Sequence, residues 1–469
     1  MQHKAYGDGF EKYGGKLIKT LRVMIDDRPG GFAALANLIA EEGALLGDII
    51  KVRMTAEHIV RDVTIYIDHE RQLKNIARRI RRAHGLHLTE IRDEVIAKHL
   101  GGKIAMRSRV PMESVSDLRI IYTPGVAHVC RVIARKPGLA RDYTSIGNSV
   151  AIITNGTAIL GLGDIGVAAG MPVMEGKAVI LSKMVGISAI PILVDSKNTR
   201  DIVSTVEHIA PTFGAIQLED IAAPQCFEVE RALRERLHIP VFHDDQHGTS
   251  VVVAGALLTA LRRTRRKAKD TRVVINGAGA AGIATARMLR LIGVGDIVLC
   301  DRAGAIHRRR RRHMNPFKRE IAEITNKHGV RGDLAAAVAG ADVFVGVSGP
   351  GLLKPEMVRT MARDSIVFAL ANPVPEIVTA DAVRAGAAIA SDGRSLNNAL
   401  AFPGIFRGAL DARAIKINDA MKLAAAHCIH RQTAKHDLVP DFMNREMHRR
   451  IAEVVRRAAI RTGVARVRF

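Results

Sequence analysis

The chain has 469 residues, and its 70 lysines and arginines outweigh its 47 aspartates and glutamates, which gives a formal net charge of +23. Hydrophobic residues make up 48% and charged residues 25%. This balance is typical of folded proteins and excludes disorder for most of the chain, and the length predicts roughly two to four domains. The excess positive charge raises nucleic acid as a partner, because basic surfaces bind phosphate backbones.

Cysteine usage and hydropathy exclude several further classes of protein. The four cysteines are scattered without a Cys-x-x-Cys pair, so neither a disulfide framework nor a thiolate zinc site is expected. The N-terminus, Met1 to Gly15, is polar and has no apolar core of a secretory signal. No run of 18 apolar residues occurs that could span a membrane. We therefore expect a soluble, cytoplasmic protein.

The positions of the basic residues argue against nucleic-acid binding. Aromatic residues make up only 4% and tryptophan is absent, so no platform for stacking single-stranded bases is evident. No zinc-finger spacing or RNA-recognition signature occurs either. We favour solvated helix faces and one exposed loop for the four basic clusters, at Arg78 to Arg82, Arg262 to Lys269, Arg308 to Arg312 and Arg449 to Arg461.

The N-terminal region, residues 1–98, is predicted to form a ferredoxin-like βαββαβ domain. Strands are expected at Leu17 to Ile25, at 46–54, at 58–67 and at 86–92. Apolar residues at helical spacing lie between the first and second strands and again between the third and fourth. Since both helices are amphipathic, they should cover one face of a four-stranded sheet.

This region resembles an ACT domain, most clearly at Ile25 to Gly31 and at Gly47 to Arg53. The resemblance implies a domain that dimerises and binds a small effector, often an amino acid, near the turn after the first strand. Gly30 and Gly31 would leave backbone N–H groups open to a carboxylate there. The alternative is a tight strand-to-helix turn without a ligand.

The remaining chain is predicted to form two α/β domains, at residues 99–250 and 251–469. The first contains mixed strands and helices with a high density of short motifs. The second follows the order helix, strand, glycine-rich turn, helix, strand, which is typical of a doubly wound parallel sheet of the Rossmann type.

Two Gly-x-Gly-x-x-Gly motifs compete for one dinucleotide, and their context separates them. The second motif, Gly277 to Gly282, follows an apolar strand and opens a helix, and the next strand ends in Asp301, 24 positions after Gly277. This arrangement places a pyrophosphate on a helix N-terminus and a carboxylate on the adenosine ribose. The first motif, Gly161 to Gly166, runs into Met171 and Pro172. We expect a tight loop there, with no crossover helix able to start cleanly.

The residues after the second motif bear on the choice between NAD and NADP. Asp301 favours NAD, because a carboxylate accepts a hydrogen bond from a free 2′-hydroxyl and repels a 2′-phosphate. The basic run Arg308 to Arg312 could bind a 2′-phosphate or another anion. We favour an exposed, solvated loop for this run.

Three carboxylates follow strand-like segments in the second region. Glu219, Asp220 and Asp245 could converge only if a cation compensates their charge, and oxygen ligands select Mg²⁺ or Mn²⁺. Alternatively, Asp244 and Asp245 cap a helix expected at 249–261. His243 and His247 suggest a zinc hydrolase, but the glutamate of His-Glu-x-x-His is missing.

From about Gly101 onward these motifs resemble the malic enzyme family. The family's Tyr-Thr-Pro-Gly-Val-Ala signature falls on Tyr122 and its Glu-Gly-Lys signature on Lys177. The resemblance implies catalytic residues Tyr122, Lys177 and Asp244, and metal ligands Glu219, Asp220 and Asp245. It implies substrate binding by Tyr122, Lys177, Asn372 and Asn398. Cofactor binding would involve Gly277, Gly279, Ala280, Ala281, Gly282, Asp301 and Asn372.

The implied activity is oxidative decarboxylation of (S)-malate to pyruvate and CO₂, with NAD as oxidant, NADP as the alternative, and Mg²⁺ or Mn²⁺ as the metal. Lys177 would be the general base, with a pKa lowered by the cation and by burial, and Tyr122 would protonate C3 of the product. Ala158 stands where larger family members carry a substrate-binding arginine. A homodimer or larger homo-oligomer is expected, without nucleic-acid or membrane partners. A sensor that retains only ligand binding is the rival interpretation.

Overall fold

The computed structural model describes residues 15–466, and the chain divides between Ala105 and Met106 into two compact units. The sequence predicts no secretory signal in Met1 to Gly15. Residues 1–14 of this segment lie outside the described range. Among the described helices, none is both long and apolar enough to cross a membrane.

The N-terminal unit has the predicted βαββαβ order. Its four antiparallel strands lie in the order β2-β3-β1-β4. The strands are β1 (Leu17–Asp26), β2 (Leu45–Met54), β3 (His58–Ile67) and β4 (Leu86–Asp93), and the helices are α1 (Gly31–Glu41), α2 (Glu70–Arg82) and α3 (Glu94–His99).

The core of the N-terminal unit follows from the two hydrophobic periods. In α2 the residues Leu73, Ile76 and Ile80 are buried, as expected for one face of an amphipathic helix, and they pack with alternate residues of β1 such as Leu21 and Val23. Three basic residues of α2, Arg79, Arg81 and Arg82, lie in its last turn, where they interact favourably with the helix dipole.

The large unit begins with short helices and a four-stranded parallel sheet in the order β6-β5-β7-β8. Its first helices, which contain no buried residue, are α4 (Val115–Ile121), α5 (Val126–Arg135) and α6 (Ala140–Tyr143). The sheet and its helices are β5 (Ser149–Thr154), α7 (Met171–Val185), β6 (Ser188–Leu193), α8 (Thr199–Ile209), β7 (Ala215–Leu218), α9 (Gln225–Arg236) and β8 (Val241–His243).

Helix α7 corrects the expectation that no helix starts cleanly after the first glycine motif. It begins at Met171, carries Pro172 in its first turn and joins the parallel strands β5 and β6. A proline is tolerated in the first turn, because its missing N–H would have no partner within the helix. The loop ahead of α7 keeps the first glycine motif, as predicted.

A second sheet of six strands follows in the order β11-β10-β9-β12-β13-β14, parallel except for β11. Its elements are α10 (Asp244–Arg263), β9 (Arg272–Asn276), α11 (Ala280–Leu291), β10 (Asp296–Asp301), β11 (Gly304–Ala305), α12 (Pro316–Ile324), α13 (Leu334–Val338), β12 (Val343–Gly346), α14 (Pro355–Arg359), β13 (Ile366–Ala369), α15 (Thr379–Arg384) and β14 (Ile389–Asp392). The chain ends in α16 (Phe402–Asp411), α17 (Asp419–Gln432) and α18 (Arg445–Arg461).

Helix α10 connects the two sheets and runs through residue 250, where the sequence suggested a domain boundary. It begins five residues earlier than the helix expected at 249–261, so Asp244 and Asp245 lie in its first turn. One hydrophobic core cluster extends from Val150 in β5 to Val464 near the C-terminus and includes residues of both sheets. The large unit is therefore a single packed body.

Candidate active site

A cavity of about 460 Å³ lies in the large unit, where the carboxyl ends of strands from both sheets meet. Residues after β7, at the start of α10 and on α7 form one side, and loops after β12, β13 and β14 form the other. Seven of the predicted site residues line it: Lys177, Glu219, Asp220, Asp245, Ala281, Asn372 and Asn398.

The three predicted metal ligands lie together. One oxygen from each of Glu219, Asp220 and Asp245 lies within 4.8 Å of the others. Asp220 adopts a left-handed backbone conformation (φ 52°), and its N–H donates to Asp245 Oδ2 at 2.9 Å. Gln217 Nε2 donates to Glu219 Oε2 at 2.7 Å. The backbone is thus bent so that consecutive carboxylates face the same cavity.

Burial and mutual repulsion make these carboxylates reluctant to ionise. Burial and the neighbouring carboxylates of Asp245 and Glu219 raise the pKa of Asp220 to about 8. Burial is also the largest cause that raises the pKa of Glu219 to about 7 and that of Asp245 to about 6. A cation at the centre of the three would reverse these shifts, since it favours the ionised forms.

Lys177 reaches this cluster from α7. Its Nζ donates to Asp244 Oδ2 at 2.5 Å and to Asn398 Oδ1 at 3.1 Å, and it lies 3.0 Å from Glu219 Oε1. Nζ also lies 4.7 Å from the ring centroid of Phe402. Within the described range, Lys177 is the only lysine or arginine that lines the cavity.

Without a cation, the carboxylates around Lys177 decide the direction of its pKa shift. Burial lowers this pKa, but the charges of Asp244, Glu219 and Asp245 outweigh burial and raise the pKa above its usual value. The expectation of a lowered pKa included a bound cation, so it stays a prediction. The neighbouring carboxylates by themselves raise the pKa of Lys177.

Asp244 is fully buried and serves Lys177 rather than capping α10. The helix has His243 at its N-cap position, without a side-chain capping bond. A Cβ at Gly248, one turn further along α10, would overlap Asp244 Oδ1. Only glycine at 248 therefore leaves room for this carboxylate.

The two histidines do not form a metal site. His247 Nε2 lies 2.8 Å from Glu230 Oε1, and this contact lowers the pKa of Glu230 to about 2 against the effect of its burial. Burial lowers the pKa of His247 to about 4. His243 is fully buried, which lowers its pKa to about 4. Both side chains belong to the support of α10 and not to the cavity lining.

Of the three predicted catalytic residues, Lys177 lines the cavity and Asp244 contacts Lys177, whereas the structure does not bring Tyr122 to this site. Tyr122 follows α4, is 65% exposed, and is not among the described residues that line the cavity. The segment around it is also exposed and apolar, with Met112, Val115 and Ile120 all largely open to solvent.

Asn397 and Asn398, in the segment after β14, differ in role. The Asn397 side chain accepts from Ala399 N–H at 2.9 Å, which uses its oxygen to start a short helical turn. Asn398 instead contacts Lys177. Asn372 lines the cavity from the loop after β13, and its backbone carbonyl lies against Gly161 of the first glycine motif, where a Cβ would clash.

A second cavity of about 1150 Å³ lies beside the second glycine motif. It is lined by Gly277, Gly279, Asp301 and Ser348, among others. A Cβ at Gly282 would overlap the carbonyl oxygen of Gly277, so this glycine lets α11 pack closely on β9. The cavity opens between β9 and β12, where the strand order reverses, which is the usual ligand-binding crevice of doubly wound sheets.

Asp301 has two cationic neighbours that sequence reasoning missed. Arg310 Nη2 donates to both carboxylate oxygens, and Lys318 Nζ donates to Oδ2 at 2.6 Å. The Arg310 side chain is only 8% exposed. The expectation of a solvated loop is therefore wrong for Arg310, although Arg308, Arg309 and Arg311 are exposed. The contact is visible only in the folded structure, where Arg310 and Lys318 lie beside Asp301, because the local charge pattern of the sequence does not indicate it.

In the N-terminal unit the turn after β1 agrees only in part with the expected glycine geometry. Gly30 has φ 83°, and a Cβ there would meet no atom within 4 Å. Gly31 starts α1, and a Cβ there would lie 2.9 Å from the Asp26 carbonyl oxygen. The Gly30 backbone therefore borders open space, whereas the Gly31 N–H donates to the Arg28 carbonyl oxygen at 3.1 Å and is not open as expected.

Comparisons with known proteins identify the family. The chain matches the family models "Malic enzyme, N-terminal domain" over residues 102–234 and "Malic enzyme, NAD binding domain" over residues 246–396. A protein named NAD-dependent malic enzyme from Geobacillus stearothermophilus is 45% identical over 97% of this chain and 96% of its own length. An NADP-dependent malic enzyme from Rhizobium meliloti is 47% identical over 72% of this chain and 45% of its own length.

The fold agrees with these matches. The crystal structure of an NAD-dependent malic enzyme from Thermotoga maritima superposes with a TM-score of 0.75 at 41% sequence identity, covering 79% of this chain and 99% of that one. The chain therefore belongs to the malic enzyme family.

Proposed function

We propose that the chain oxidises (S)-malate with NAD and decarboxylates the product to pyruvate and CO₂, in a reaction that depends on a divalent metal. The observation that carries the proposal is the position of Lys177. Its Nζ contacts Asp244 and Asn398 beside the carboxylates of Glu219, Asp220 and Asp245, in a cavity that adjoins a dinucleotide-type crevice.

The donor set fits Mg²⁺ or Mn²⁺. The ligands would be Glu219, Asp220 and Asp245, all oxygen donors, which hard divalent cations prefer. Within the described residues, Asp220 Oδ2 is buried without a hydrogen-bond partner, which fits an oxygen that would coordinate a cation. When bound, the metal would polarise the substrate hydroxyl and carbonyl and stabilise the negative charge that decarboxylation releases.

Lys177 is proposed as the general base. Burial favours its neutral amine, and this form becomes accessible once the charges on Glu219 and Asp245 are compensated. The amine would take the proton of the C2 hydroxyl, and Asp244 would receive or share it across their hydrogen bond. Asn398 orients the amine towards the cavity.

NAD is the proposed oxidant, and it accepts the hydride from C2 when bound. The residues proposed to hold it are Gly277, Gly279 and Gly282 with Ala280 and Ala281 at the start of α11, Asp301 at the ribose, and Asn372 near the substrate. NADP is the alternative, and the compensated charge of Asp301 bears directly on that choice.

We also propose that the protein is a homodimer or a larger assembly of dimers, in which a second copy supplies Tyr122. Residues 106–126 carry at least seven exposed large apolar side chains. Neither α4 nor α5 contains a buried residue, and so much exposed apolar surface is unusual for a free surface. Burying this segment against a second copy would remove the apolar surface and could bring Tyr122 to the partner's cavity. There Tyr122 would protonate C3 of the enolate.

The N-terminal region, residues 1–98, is proposed as an ACT-type regulatory domain that binds a small effector, such as an amino acid, at Gly30 and Gly31. Its βαββαβ fold and open Gly30 backbone support this proposal. Initial rates of the full chain with each standard amino acid would find the effector. A Gly30→Asp variant should lose the response, because aspartate tolerates φ 83° and repels a carboxylate, whereas Gly101→Asp, in a similar open backbone position, should keep it.

Malate-dependent NADH formation with Mn²⁺ tests the main proposal. We expect turnover with NAD, release of CO₂ and pyruvate, and loss of both in the presence of a chelator. Binding of malate without turnover by either NAD or NADP would instead favour a sensor that has kept only the binding site.

A further inference from the structure

Glu376 is a buried carboxylate outside the catalytic set described above. It lies in the segment after β13 and is 0% exposed. None of the ion pairs found among residues 15–466 includes it. Burial accordingly raises its pKa, although backbone N–H groups at Ser348 and Ala371 act in the opposite direction. Burying a carboxylate without an ion-pair partner costs free energy, and hydrogen bonds must compensate for that cost.

Both oxygens of Glu376 hold backbone of the cavity walls. Oε1 accepts from Ser348 N–H at 2.9 Å, and Oε2 accepts from Ala371 N–H at 3.0 Å. Ser348 belongs to the loop after β12 and Ala371 to the loop after β13, so one side chain links the ends of two neighbouring strands. Gly346, the last residue of β12, leaves the space for this carboxylate, since a Cβ there would overlap it.

The linked loops face both ligands of the proposed reaction. Ser348 lines the dinucleotide crevice as well as the substrate cavity, whereas Ala371 and Asn372 line the substrate cavity. The Ser348 hydroxyl also accepts from Asn276 Nδ2 at 2.8 Å, directly before the second glycine motif. On the other side, the Asn372 carbonyl abuts Gly161. Glu376 therefore lies at the centre of a chain of contacts that joins the cofactor loop to the substrate loop.

We propose that Glu376 is a positioning residue for hydride transfer, which fixes the spacing between the Ser348 loop and the Ala371–Asn372 loop and thereby between nicotinamide and substrate. This inference rests on the proposed function. The carboxylate touches neither ligand and acts through two backbone N–H groups. A misplacement of about 1 Å between reacting groups can lower a rate by about 100-fold, so a loosened clamp should affect oxidation strongly.

The decisive variant is Glu376→Gln. Its amide oxygen can accept from only one of the two N–H groups, while its NH₂ group faces the other donor. We expect kcat for malate oxidation to fall about 10- to 100-fold. The primary deuterium isotope effect with malate deuterated at C2 should increase, because hydride transfer becomes slower than the other steps. Metal-dependent decarboxylation of added oxaloacetate needs no hydride transfer and should stay within about twofold of the wild type.

Glu356→Gln is the matched control, since Glu356 lies on the exposed face of α14 in the same part of the chain, and it should leave all three measurements unchanged. Glu376→Asp keeps the charge but is too short to reach both loops, so it should show the same split in a milder form. Equal loss of oxidation and decarboxylation, an unchanged isotope effect, or failure of both Glu376 variants to fold would assign a merely structural role and overturn the inference. A wild type without malate oxidation would count against the proposed function instead.

Discussion

The Nη2 atom of Arg310 lies 2.7 and 2.9 Å from the two carboxylate oxygens of Asp301. Lys318 Nζ approaches the same carboxylate. The acidic residue that would accept from the adenosine ribose is thus already held by two cations, one of them nearly buried. Arg310 and Lys318 therefore weaken the repulsion between the Asp301 carboxylate and a 2′-phosphate. If the carboxylate is removed, both cations can bind a 2′-phosphate instead.

We predict that Asp301→Ser shifts cofactor preference towards NADP. The variant leaves Arg310 and Lys318 without their shared carboxylate, and a 2′-phosphate can take its place. The ratio of kcat/KM for NADP over that for NAD should rise about 10- to 100-fold, the equivalent of one or two charge-assisted hydrogen bonds. The double variant Asp301→Ser with Arg310→Ala should lose most of the gain. Arg309→Ala, one residue away and exposed, should change little, and an equal effect of Arg309→Ala would contradict the assignment.

Metal affinity should rise steeply with pH. The folded, metal-free protein holds protons on Asp220, Glu219 and Asp245, because their pKa values are raised to about 8, 7 and 6. The folded state thus binds more protons than the unfolded state across this window, and the metal-free fold loses stability as pH increases. Mn²⁺ must displace these protons, so its affinity should increase at least about tenfold from pH 6 to pH 8.

Calorimetry of Mn²⁺ binding in buffers with different ionisation enthalpies would measure both the affinity and the protons released. Asp220→Asn should weaken binding and flatten its pH dependence, whereas Asp381→Asn, on the exposed helix α15, should do neither. Affinity independent of pH between 6 and 8 would contradict the raised pKa values.

Lys177→Ala and Tyr122→Phe should fail at different steps. Loss of the base removes the group that accepts the hydroxyl proton, so malate oxidation should fall about 100- to 10,000-fold. Loss of the phenol should leave oxaloacetate reduction largely intact but slow the protonation of C3, which can be followed as tritium or deuterium exchange into pyruvate. Equal loss in all partial reactions would speak against these roles.

Combining the two variants should restore the conversion of malate to pyruvate if a second copy supplies Tyr122. A hybrid dimer then contains one site with both substitutions and one site with neither. Co-expression with different tags should therefore yield about one quarter of wild-type activity for random pairing. If each chain used its own tyrosine, every site in the hybrid would carry one substitution and the mixture would stay inactive.

Much of the fold follows from local patterns in the sequence. The βαββαβ order and the strand-glycine-helix-strand unit at 272–301 agree with the structure, because periodicity and turn residues determine them locally. The expectation at Pro172 failed because proline is compatible with a first helical turn, so the residue alone does not exclude a helix.

The site was less predictable than the fold. The contacts of Arg310 and Lys318 with Asp301 depend on how a loop folds back over a strand end, which no short motif encodes. In the proposed dimer, the position of Tyr122 would depend on the second copy that covers residues 106–126. No sequence pattern indicated the role of Glu376, because its partners are backbone N–H groups, which every residue type except proline carries.

Helix α10 sets a limit on how the large unit can move. It begins with Asp244, which contacts Lys177, and Asp245, which lines the substrate cavity, and it ends at Arg263, before β9, with buried residues along most of its length. Bending it would expose that packed face. Because α10 is buried in the core that both sheets share, it keeps Asp245 and the sheet that contains β9 in a fixed alignment.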